Sequence, residues 1–184
     1  GLTFSGKLTG DLTVAGGTGV WTKAGTGVLV LSGTNSDFKA NINITGGMLA
    51  FNSDAALGNV ANSLFLNAGA SNSGIRAFGG TASSPLAISL NAGRTITFNT
   101  STIANNVIEV AANTTLTVNS AFGLANNGFT KADIGTLVLA ADNGIWSGPI
   151  SVSQGALKVT NAGALGLASG ATTATATGAA LQLA

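Results

Sequence analysis

The sequence contains no cysteine, no histidine and no tyrosine. Without cysteine, neither disulfides nor thiolate metal sites are available. Without histidine, the chain lacks the commonest general base and the commonest metal ligand. These absences disfavour many catalytic and metal-binding classes, and we expect no catalytic residue, no metal ligand and no cofactor.

Charge is also scarce, since only 7% of the 184 residues are charged and the formal net charge is +1. The basic residues are scattered singly, which disfavours contact with nucleic acid and with an anionic membrane surface. No run approaches the roughly 18–20 apolar residues of a membrane helix, so no membrane-spanning segment is expected. The chain starts at Gly1 without an initiating Met, and we expect it to be a fragment of a longer chain.

The sequence is rich in glycine, with 27 residues, and in small polar residues that surround short apolar runs. Each run has three or four residues and is bounded by Gly, Asn, Ser or Thr, which is typical of short strands between tight turns. No segment shows a helical period with caps. The sequence predicts an all-β chain with strands at 12–14, 28–31, 42–44, 48–51, 64–66, 87–90, 95–98, 107–110, 115–118, 136–139, 150–152, 156–159 and 180–183.

An internal repeat is the strongest signal, because residues 21–58 align without a gap with residues 129–166. The identical pairs include Lys23/Lys131, Gly27/Gly135, Leu29/Leu137, Asn35/Asn143, Gly47/Gly155 and Leu49/Leu157. Self-similarity at a fixed spacing predicts stacked structural units, since strands this short are not stable as isolated hairpins. We predict one parallel β-helical solenoid over residues 1–184, with roughly eight coils of about 20–25 residues.

The second copy and the strands before it also resemble a known family. Residues 107–166 resemble the autotransporter-associated β-strand repeat of bacterial type V secretion passengers, with the sequence VIEVAANTTLTVNSAFGLANNGFTKADIGTLVLAADNGIWSGPISVSQGALKVTNAGALG. The pattern residues present here include Lys131, Gly135, Leu137, Asn143 and Gly155. The resemblance implies a right-handed parallel β-helix that is exported to the cell surface as the stalk of a long passenger.

Two departures from the family pattern fall in turns. The Thr-Tyr pair of the family is replaced by Ser36-Asp37-Phe38 in one copy and by Gly144-Ile145-Trp146 in the other, so an aromatic survives in each. Asp133-Ile134 replaces a turn that contains glycine in the family. These departures favour a packing role for the aromatic residue over a role that needs a hydroxyl group.

Local motifs for chemistry are weak. The segment GLTFSGK at 1–7 has the glycine–lysine part of a phosphate loop, but Leu8 stands where Ser or Thr holds magnesium, and no helix follows. The segment SDFK at 36–39 fits the Ser-x-x-Lys pattern of acyl-transfer enzymes, but it lies between strands and not on a helix. Both are interpreted as coincidences.

A carbohydrate-active β-helix is the rival interpretation, and it depends on acids and aromatics. The acids are interpreted as solvated turn carboxylates, with a catalytic pair across coils as the alternative: Asp11, Asp37, Asp54, Glu109, Asp133 and Asp142. The matched aromatics are interpreted as packing groups, with sugar stacking as the alternative: Trp21, Phe38, Phe129 and Trp146. The unduplicated middle, with Arg76 and Arg94, is where we expect any local binding feature.

The function predicted from these observations is mechanical. We expect an extracellular structural stalk or adhesin-type passenger segment of a bacterial autotransporter-like surface protein, secreted or on the cell surface, without catalysis. One alternative is a subunit of an end-to-end stacked β-helical filament, and a second is a carbohydrate-binding or carbohydrate-cleaving β-helix. The expected partners are adjacent β-helical segments of the parent chain, further stacked copies, and host or matrix surface glycans or proteins, with no nucleic acid among them.

Overall fold

The chain winds into a stack of parallel β-coils. The computed structural model describes residues 1–12, 19–35, 37–67 and 72–184. Every strand pairing in these ranges is parallel. The described residues contain no α-helix, and their helical turns are short 3₁₀ segments at Asp54–Leu57 and Ile103–Asn105. The parallel β-helix predicted from the sequence is confirmed.

Three faces run along the stack. Face 1 has eight strands in the order β1 (Leu2–Phe4), β4 (Val28–Leu31), β7 (Gly47–Phe51), β9 (Ser73–Ala77), β12 (Asn106–Val110), β14 (Phe129–Ala132), β16 (Ile150–Val152) and β18 (Thr172–Ala174). Face 2 has five strands, β10 (Leu86–Leu90), β13 (Thr114–Val118), β15 (Thr136–Leu139), β17 (Ala156–Val159) and β19 (Ala180–Leu183). Face 3 has four, β11 (Ile96–Phe98), β8 (Leu64–Leu66), β6 (Asn41–Ile44) and β3 (Val20–Lys23), and a further pair joins β2 (Gly10–Asp11) to β5 (Phe38–Lys39).

The stack has about seven coils, close to the roughly eight that the sequence predicts. Successive strands of face 1 pair one coil apart, and the coil length varies from 20 residues between Leu29 and Leu49 to 33 residues between Ile75 and Ile108. The longest coil carries β10, the first strand of face 2. This coil is longer than the predicted 20–25 residues, which lowers the number of coils that the chain forms.

The core is built from columns of aliphatic side chains that point inward. On face 1, Leu29, Leu49, Ile75 and Ile108 are paired in sequence from one coil to the next, and the last three are fully buried. On face 2, Leu137 is fully buried in the same way. Removal of these columns from water is the main favourable contribution to folding of the stack.

The strand prediction found most strands with aliphatic inward positions and missed several of the others. The predicted runs that lie wholly in the described residues are strands within one residue at either end, whereas residues 13 and 14 of the run 12–14 lie outside the described residues. Strands β3, β9 and β14 were missed because buried Lys23, Ser73 and Lys131 interrupt the aliphatic alternation. These three missed strands therefore bring polar groups into the core, and the short strands β1, β5 and β18 were missed as well.

The two copies of the repeat lie on different faces of the stack. In the first copy β3 and β4 belong to faces 3 and 1, whereas the equivalent strands β14 and β15 belong to faces 1 and 2. The column of Lys23 passes through Ile44, Leu66 and Phe98 to Asn126 before the chain turns onto face 1. The spacing between the two copies therefore corresponds to four full coils and the step from one face to the next. Each copy follows the corner between two faces, and the two copies do not share the same pair of faces.

Candidate functional site: the polar corners of the repeats

The first copy of the repeat buries a lysine at the corner between faces 3 and 1. Lys23 is 6% exposed, and its side chain points inward in the column of Ile44. Its ammonium group donates hydrogen bonds to the carbonyl oxygens of Ala24, Gly25 and Gly46, at 3.1, 2.8 and 2.7 Å. Burial lowers the pKa of Lys23. Because Gly46 belongs to the next coil, the lysine joins two successive coils.

The second copy repeats this arrangement at the corner between faces 1 and 2. Lys131 is fully buried in the column of Ile108, and its ammonium group donates to the carbonyl oxygens of Ala132, Asp133 and Gln154. Burial lowers the pKa of Lys131 to about 8, and the carboxylate of Asp133 opposes that shift. Two equivalent lysines on different faces thus bind the same set of backbone carbonyls.

The corner after each lysine requires a residue with positive φ. Gly25 has φ of 74° and Asp133, at the equivalent position, has φ of 63°. Aspartate tolerates this conformation because its carboxylate accepts a hydrogen bond from the N–H of Ile134, at 2.8 Å. In the coil that follows, Gly47 and Gly155 both have φ of 65°. The Asp133-Ile134 departure from the family pattern therefore preserves the geometry of the corner.

A buried asparagine forms the second polar corner of each copy. Asn143 is 4% exposed, and its Oδ1 accepts a hydrogen bond from the N–H of Phe122 at 2.7 Å. Its Nδ2 donates to the carbonyl oxygen of Ala164 at 2.6 Å. Asn35 makes the same two bonds, at 2.6 and 2.7 Å, with the coils on either side. Each asparagine therefore joins three successive coils.

Arg94, in the unduplicated middle, is fully buried rather than available to a ligand. Its Nε donates to Oδ1 of Asp54 at 2.8 Å, and its Nη1 donates to the carbonyl oxygen of Asn62 at 2.9 Å. Further bonds reach the carbonyl oxygens of Leu57 and Gly58. This arginine ties the longest coil to the 3₁₀ turn of the coil before it.

Arg76 has the opposite environment, on the outer side of face 1, with 40% of its side chain exposed. Its guanidinium group lies 3.6 Å from a carboxylate oxygen of Glu109 and 3.4 Å from one of Asp133. Among the described residues, this is where two acids share one cation. Both carboxylates therefore lie within ion-pairing distance of one guanidinium group.

The remaining acids are also engaged within the chain. Asp11 pairs with Lys39 at 3.1 Å, and Asp54 with Arg94. Lys7 donates a hydrogen bond to Asp37 and lowers the pKa of that carboxyl group. Asp142 accepts a hydrogen bond from the N–H two residues later, at 2.8 Å. Ion pairs therefore engage Asp11, Asp37 and Asp54, whereas Asp142 is engaged by a hydrogen bond within its turn.

Most of the matched aromatic residues belong to the interior. Phe98, Phe122, Phe129 and Trp146 form one cluster with ring centroids 4.8 to 6.2 Å apart, and all four are buried. Phe38 is 6% exposed and contacts the half-buried Trp21 edge to face at 6.1 Å. Buried rings have no face free for a sugar, so three of the four matched aromatics are packing groups.

The described residues offer little for the other chemistries weighed from the sequence. They contain no group of three or more acidic, histidine or cysteine side chains that could hold a metal ion. Residues 2–4 of the segment GLTFSGK form β1, and Ser36 of the segment SDFK lies outside the described residues. Within the described ranges, no helix has the length and apolar character to cross a membrane.

These features define a parallel β-solenoid whose repeat commits its polar residues to joining successive coils. The model of the family described as the passenger-associated-transport-repeat matches residues 22–51 and 129–159, about a third of the chain. The adhesin BmaC autotransporter of Brucella suis biovar 1 (strain 1330) is 50% identical over 68 residues. That match covers 37% of this chain and 2% of the adhesin, so the chain corresponds to a small part of its relative. No solved structure matches the chain.

The two comparisons agree with the resemblance drawn from the sequence. The family match coincides with the two copies that contain the buried lysines and glycine corners. The resemblance to the passenger repeat of autotransporters is therefore confirmed for these segments. The right-handed sense of the winding, the single-segment organisation of residues 1–184 and the absence of catalytic residues stay predictions.

Proposed function

We propose that this chain is a structural, adhesin-type segment of an exported bacterial passenger, which forms a rigid rod at the cell surface and performs no catalysis. The family match and the autotransporter adhesin that resembles the chain support this proposal. The observation that carries it is the use of polar residues in both copies of the repeat. Lys23, Lys131, Asn35 and Asn143 bind the backbone of neighbouring coils and leave no donor for a substrate.

The rod gains stiffness from a hydrogen-bonded sheet that continues from coil to coil through the described residues. The eight strands of face 1 form a continuous parallel ladder of hydrogen bonds. Seven coils at roughly 4.8 Å each give a rise of about 34 Å. Since each coil contacts mainly its neighbours, further coils of the same kind lengthen such a rod without changing its cross-section. A segment of this type holds other parts of a passenger at a distance and presents its sides for contact.

An adhesion assay tests the proposal. Beads that carry the purified chain are offered immobilised matrix proteins and a panel of host and bacterial glycans, with uncoated beads as the control. We expect retention on at least one surface, and no cleaved product from any polysaccharide in the panel. Release of oligosaccharides that disappears in the Glu109→Gln/Asp133→Asn variant would instead establish a carbohydrate-cleaving solenoid.

A second candidate function is end-to-end assembly, supported by aliphatic residues at the outermost coils. Leu2 and Leu183 are 69% and 78% exposed although they occupy the inward columns of Leu29 and Val159. Adjacent coils of the parent chain would cover these residues, and so would further copies in a filament. Electron microscopy of the purified chain separates the two, because only the second produces filaments, and the Leu183→Asp variant should abolish them.

A further inference from the structure

The turn around the buried asparagine carries a lysine side chain in the first copy of the repeat but not in the second. Leu8 and Phe122 are equivalent, because each donates its N–H to Oδ1 of the asparagine one coil later, at 2.6 and 2.7 Å. The residue that precedes this donor is Lys7 in the first copy and Ala121 in the second. The second copy therefore has an alanine where the first has a lysine.

In the first copy, the lysine side chain reaches the turn that follows the asparagine. The ammonium group of Lys7 forms an ion pair with the carboxylate of Asp37. In the alignment of the two copies, Asp37 corresponds to Ile145. The stem of Lys7 therefore extends between the two positions that Ala121 and Ile145 occupy in the second copy. The first copy thus supplies, from its own chain, the kind of side chain that this corner holds.

In the second copy, these two positions line an open depression of about 360 Å³. Besides Ala121 and Ile145, its lining includes Leu124. The two larger aliphatic side chains, Leu124 and Ile145, are 72% and 69% exposed. The depression therefore offers apolar walls and lacks the lysine stem that the first copy places in the equivalent corner.

Asp142 places a negative charge at the depression, which it also lines. One of its carboxylate oxygens accepts a hydrogen bond from the N–H of Gly144 at 2.8 Å. Each of the other five acids lies in an ion pair, whereas Asp142 has none with any described residue. A carboxylate without a cation, beside apolar walls, matches a ligand that has an aliphatic stem and a positive end.

We propose that this depression binds the side chain of a lysine on a partner protein, in place of the lysine that the first copy supplies itself. The stem packs between Leu124 and Ile145, and the ammonium group pairs with Asp142. As a contact with a partner protein, this site rests on the adhesin-type function proposed above. A free aliphatic amine carries the same chemistry, so the experiment distinguishes it from a lysine within a peptide.

An NMR titration of the isotope-labelled chain with the peptide acetyl-Gly-Lys-Gly-amide tests the site. An exposed ion pair contributes little by itself, so we expect saturable shifts of the Gly144 and Ile145 amides with a Kd on the order of 1 mM. The same peptide with norleucine in place of lysine keeps the stem and lacks the charge, so it should bind more weakly by roughly fivefold or more. The free amine n-pentylammonium should bind no more tightly than the lysine peptide.

Variants of the chain locate the site. Asp142→Asn keeps an oxygen for the N–H of Gly144 but removes the charge, so the Kd should rise by roughly fivefold or more at an unchanged melting temperature. The Ala121→Lys/Ile145→Asp variant installs the ion pair of the first copy, which fills the depression with the chain's own lysine and should abolish the shifts. Glu109→Gln, which removes a carboxylate that already lies beside an arginine, is the matched control and should leave the Kd unchanged.

Several outcomes would overturn the proposal. Absence of saturable shifts with the lysine peptide would do so, as would equal affinities for the lysine and norleucine peptides. A Kd that is the same in Asp142→Asn as in wild type would place the binding elsewhere. Binding of n-pentylammonium without binding of the peptide would restrict the site to free amines and remove the partner protein. Because the titration uses the isolated chain, failure of this site leaves the bead adhesion assay, and the function that it tests, unaffected.

Discussion

A buried lysine is stable in this fold because its stem and its ammonium group meet different surroundings. The methylene groups of Lys131 lie in an inward column between Ile108 and Val152. The ammonium group leaves that column and meets three carbonyl oxygens at the corner. The chain thus satisfies a buried charge with backbone dipoles rather than with an acid. In the sequence, such a lysine looks like any exposed lysine, because only the tertiary structure shows that it is buried.

Removal of the buried lysine should be costly. We expect Lys131→Ala to lower the free energy of unfolding by about 2–4 kcal/mol, because it leaves a cavity in the column and three carbonyl oxygens without their donor. Urea unfolding followed by circular dichroism measures the change. Lys39→Ala, at an exposed lysine that pairs with Asp11, is the control and should stay within about 1 kcal/mol of wild type. Equal effects of the two substitutions would contradict the assigned role of the corner.

The lowered pKa of Lys131 predicts how stability depends on pH. Its pKa is about 8 in the folded chain and 10.5 in the unfolded chain, so between these values the unfolded chain binds more protons. The free energy of unfolding should therefore rise as the pH rises through this window, by roughly 3 kcal/mol in total.

Replacing Lys131 with a residue that does not titrate isolates this pH effect. The Lys131→Met variant lacks the titrating group, so the difference in unfolding free energy between wild type and variant reports the contribution of Lys131 alone. Urea unfolding at several pH values across the window provides that difference. If this difference in unfolding free energy stays constant, or changes in favour of the variant as the pH rises, the pKa of Lys131 is not lowered in the folded chain.

At the scale of elements, the corners and not the strands decide which coils lie next to each other. The strands are only two to five residues long, and their ladders alone specify register weakly. Asn143 and its equivalent Asn35 each bind the coil before and the coil after. These side chains replace missing backbone partners at the turns, where strand pairing stops. Each corner therefore acts as a local connector.

The asparagine connector needs both its donor and its acceptor. Asn143→Asp keeps the acceptor for the N–H of Phe122 but places a carboxylate oxygen against the carbonyl oxygen of Ala164. We expect a loss of about 3 kcal/mol in unfolding free energy, because a buried group loses its partner and gains a charge. Asn126→Asp is a matched control, since Asn126 accepts a hydrogen bond through Oδ1 at an exposed turn, and it should stay within about 0.5 kcal/mol. Similar losses in the two variants would refute the connector.

Arg94 is the corresponding connector of the unduplicated middle. Its guanidinium group binds Asp54 and several carbonyl oxygens of the preceding coil. A lysine ammonium group cannot donate to all of these acceptors in the planar arrangement of a guanidinium group. Arg94→Lys should therefore lower the unfolding free energy by about 3 kcal/mol. Arg76→Lys, at the exposed ion-pair cluster, should change it by less than about 1 kcal/mol. Calorimetric or urea unfolding measures both changes, and equal losses in the two variants would contradict the structural role of Arg94.

For the whole molecule, the rotation of the second copy by one face is the main architectural result. The outward column of Thr22 on face 3 continues to Thr97, but the equivalent Thr130 lies on face 1 beside Val107. The coil between Ile75 and Ile108 is the longest on face 1. The rotation therefore arises in the middle of the chain, where coil length changes and face 2 begins.

Thiol cross-linking tests this rotation directly, since the chain has no cysteine of its own. The Val107→Cys/Thr130→Cys pair lies on adjacent strands, roughly 4.8 Å apart, and should be joined readily by a short bifunctional reagent. The Thr97→Cys/Thr130→Cys pair should not be joined, because its members lie on different faces. Preferential linkage of the second pair would place both copies on the same faces and would remove the rotation.

Sequence analysis identified the elements of this fold better than their arrangement. The aliphatic strands were found because alternation and glycine-bounded turns are local signals. The contacts of Arg94 with Asp54 were not predicted, because the two residues are 40 positions apart and no local pattern links them. Arg94 had been considered for local binding in the middle of the chain, and its burial contradicts that interpretation. Identical lysines and asparagines in the two copies did carry a signal, but identity alone did not reveal that they are buried.

The sequence by itself determined that this chain is a parallel β-solenoid with two equivalent corner segments, because strand alternation, glycine positions and the repeat are properties of neighbouring residues. Only the tertiary structure decided which face each copy occupies, how many coils there are and which polar residues enter the core. Those features depend on the length of each coil and on hydrogen bonds between residues 20 to 40 positions apart. In a solenoid, each coil is positioned by the one before it, so the lengths of the intervening coils decide on which face the second copy of the repeat lies.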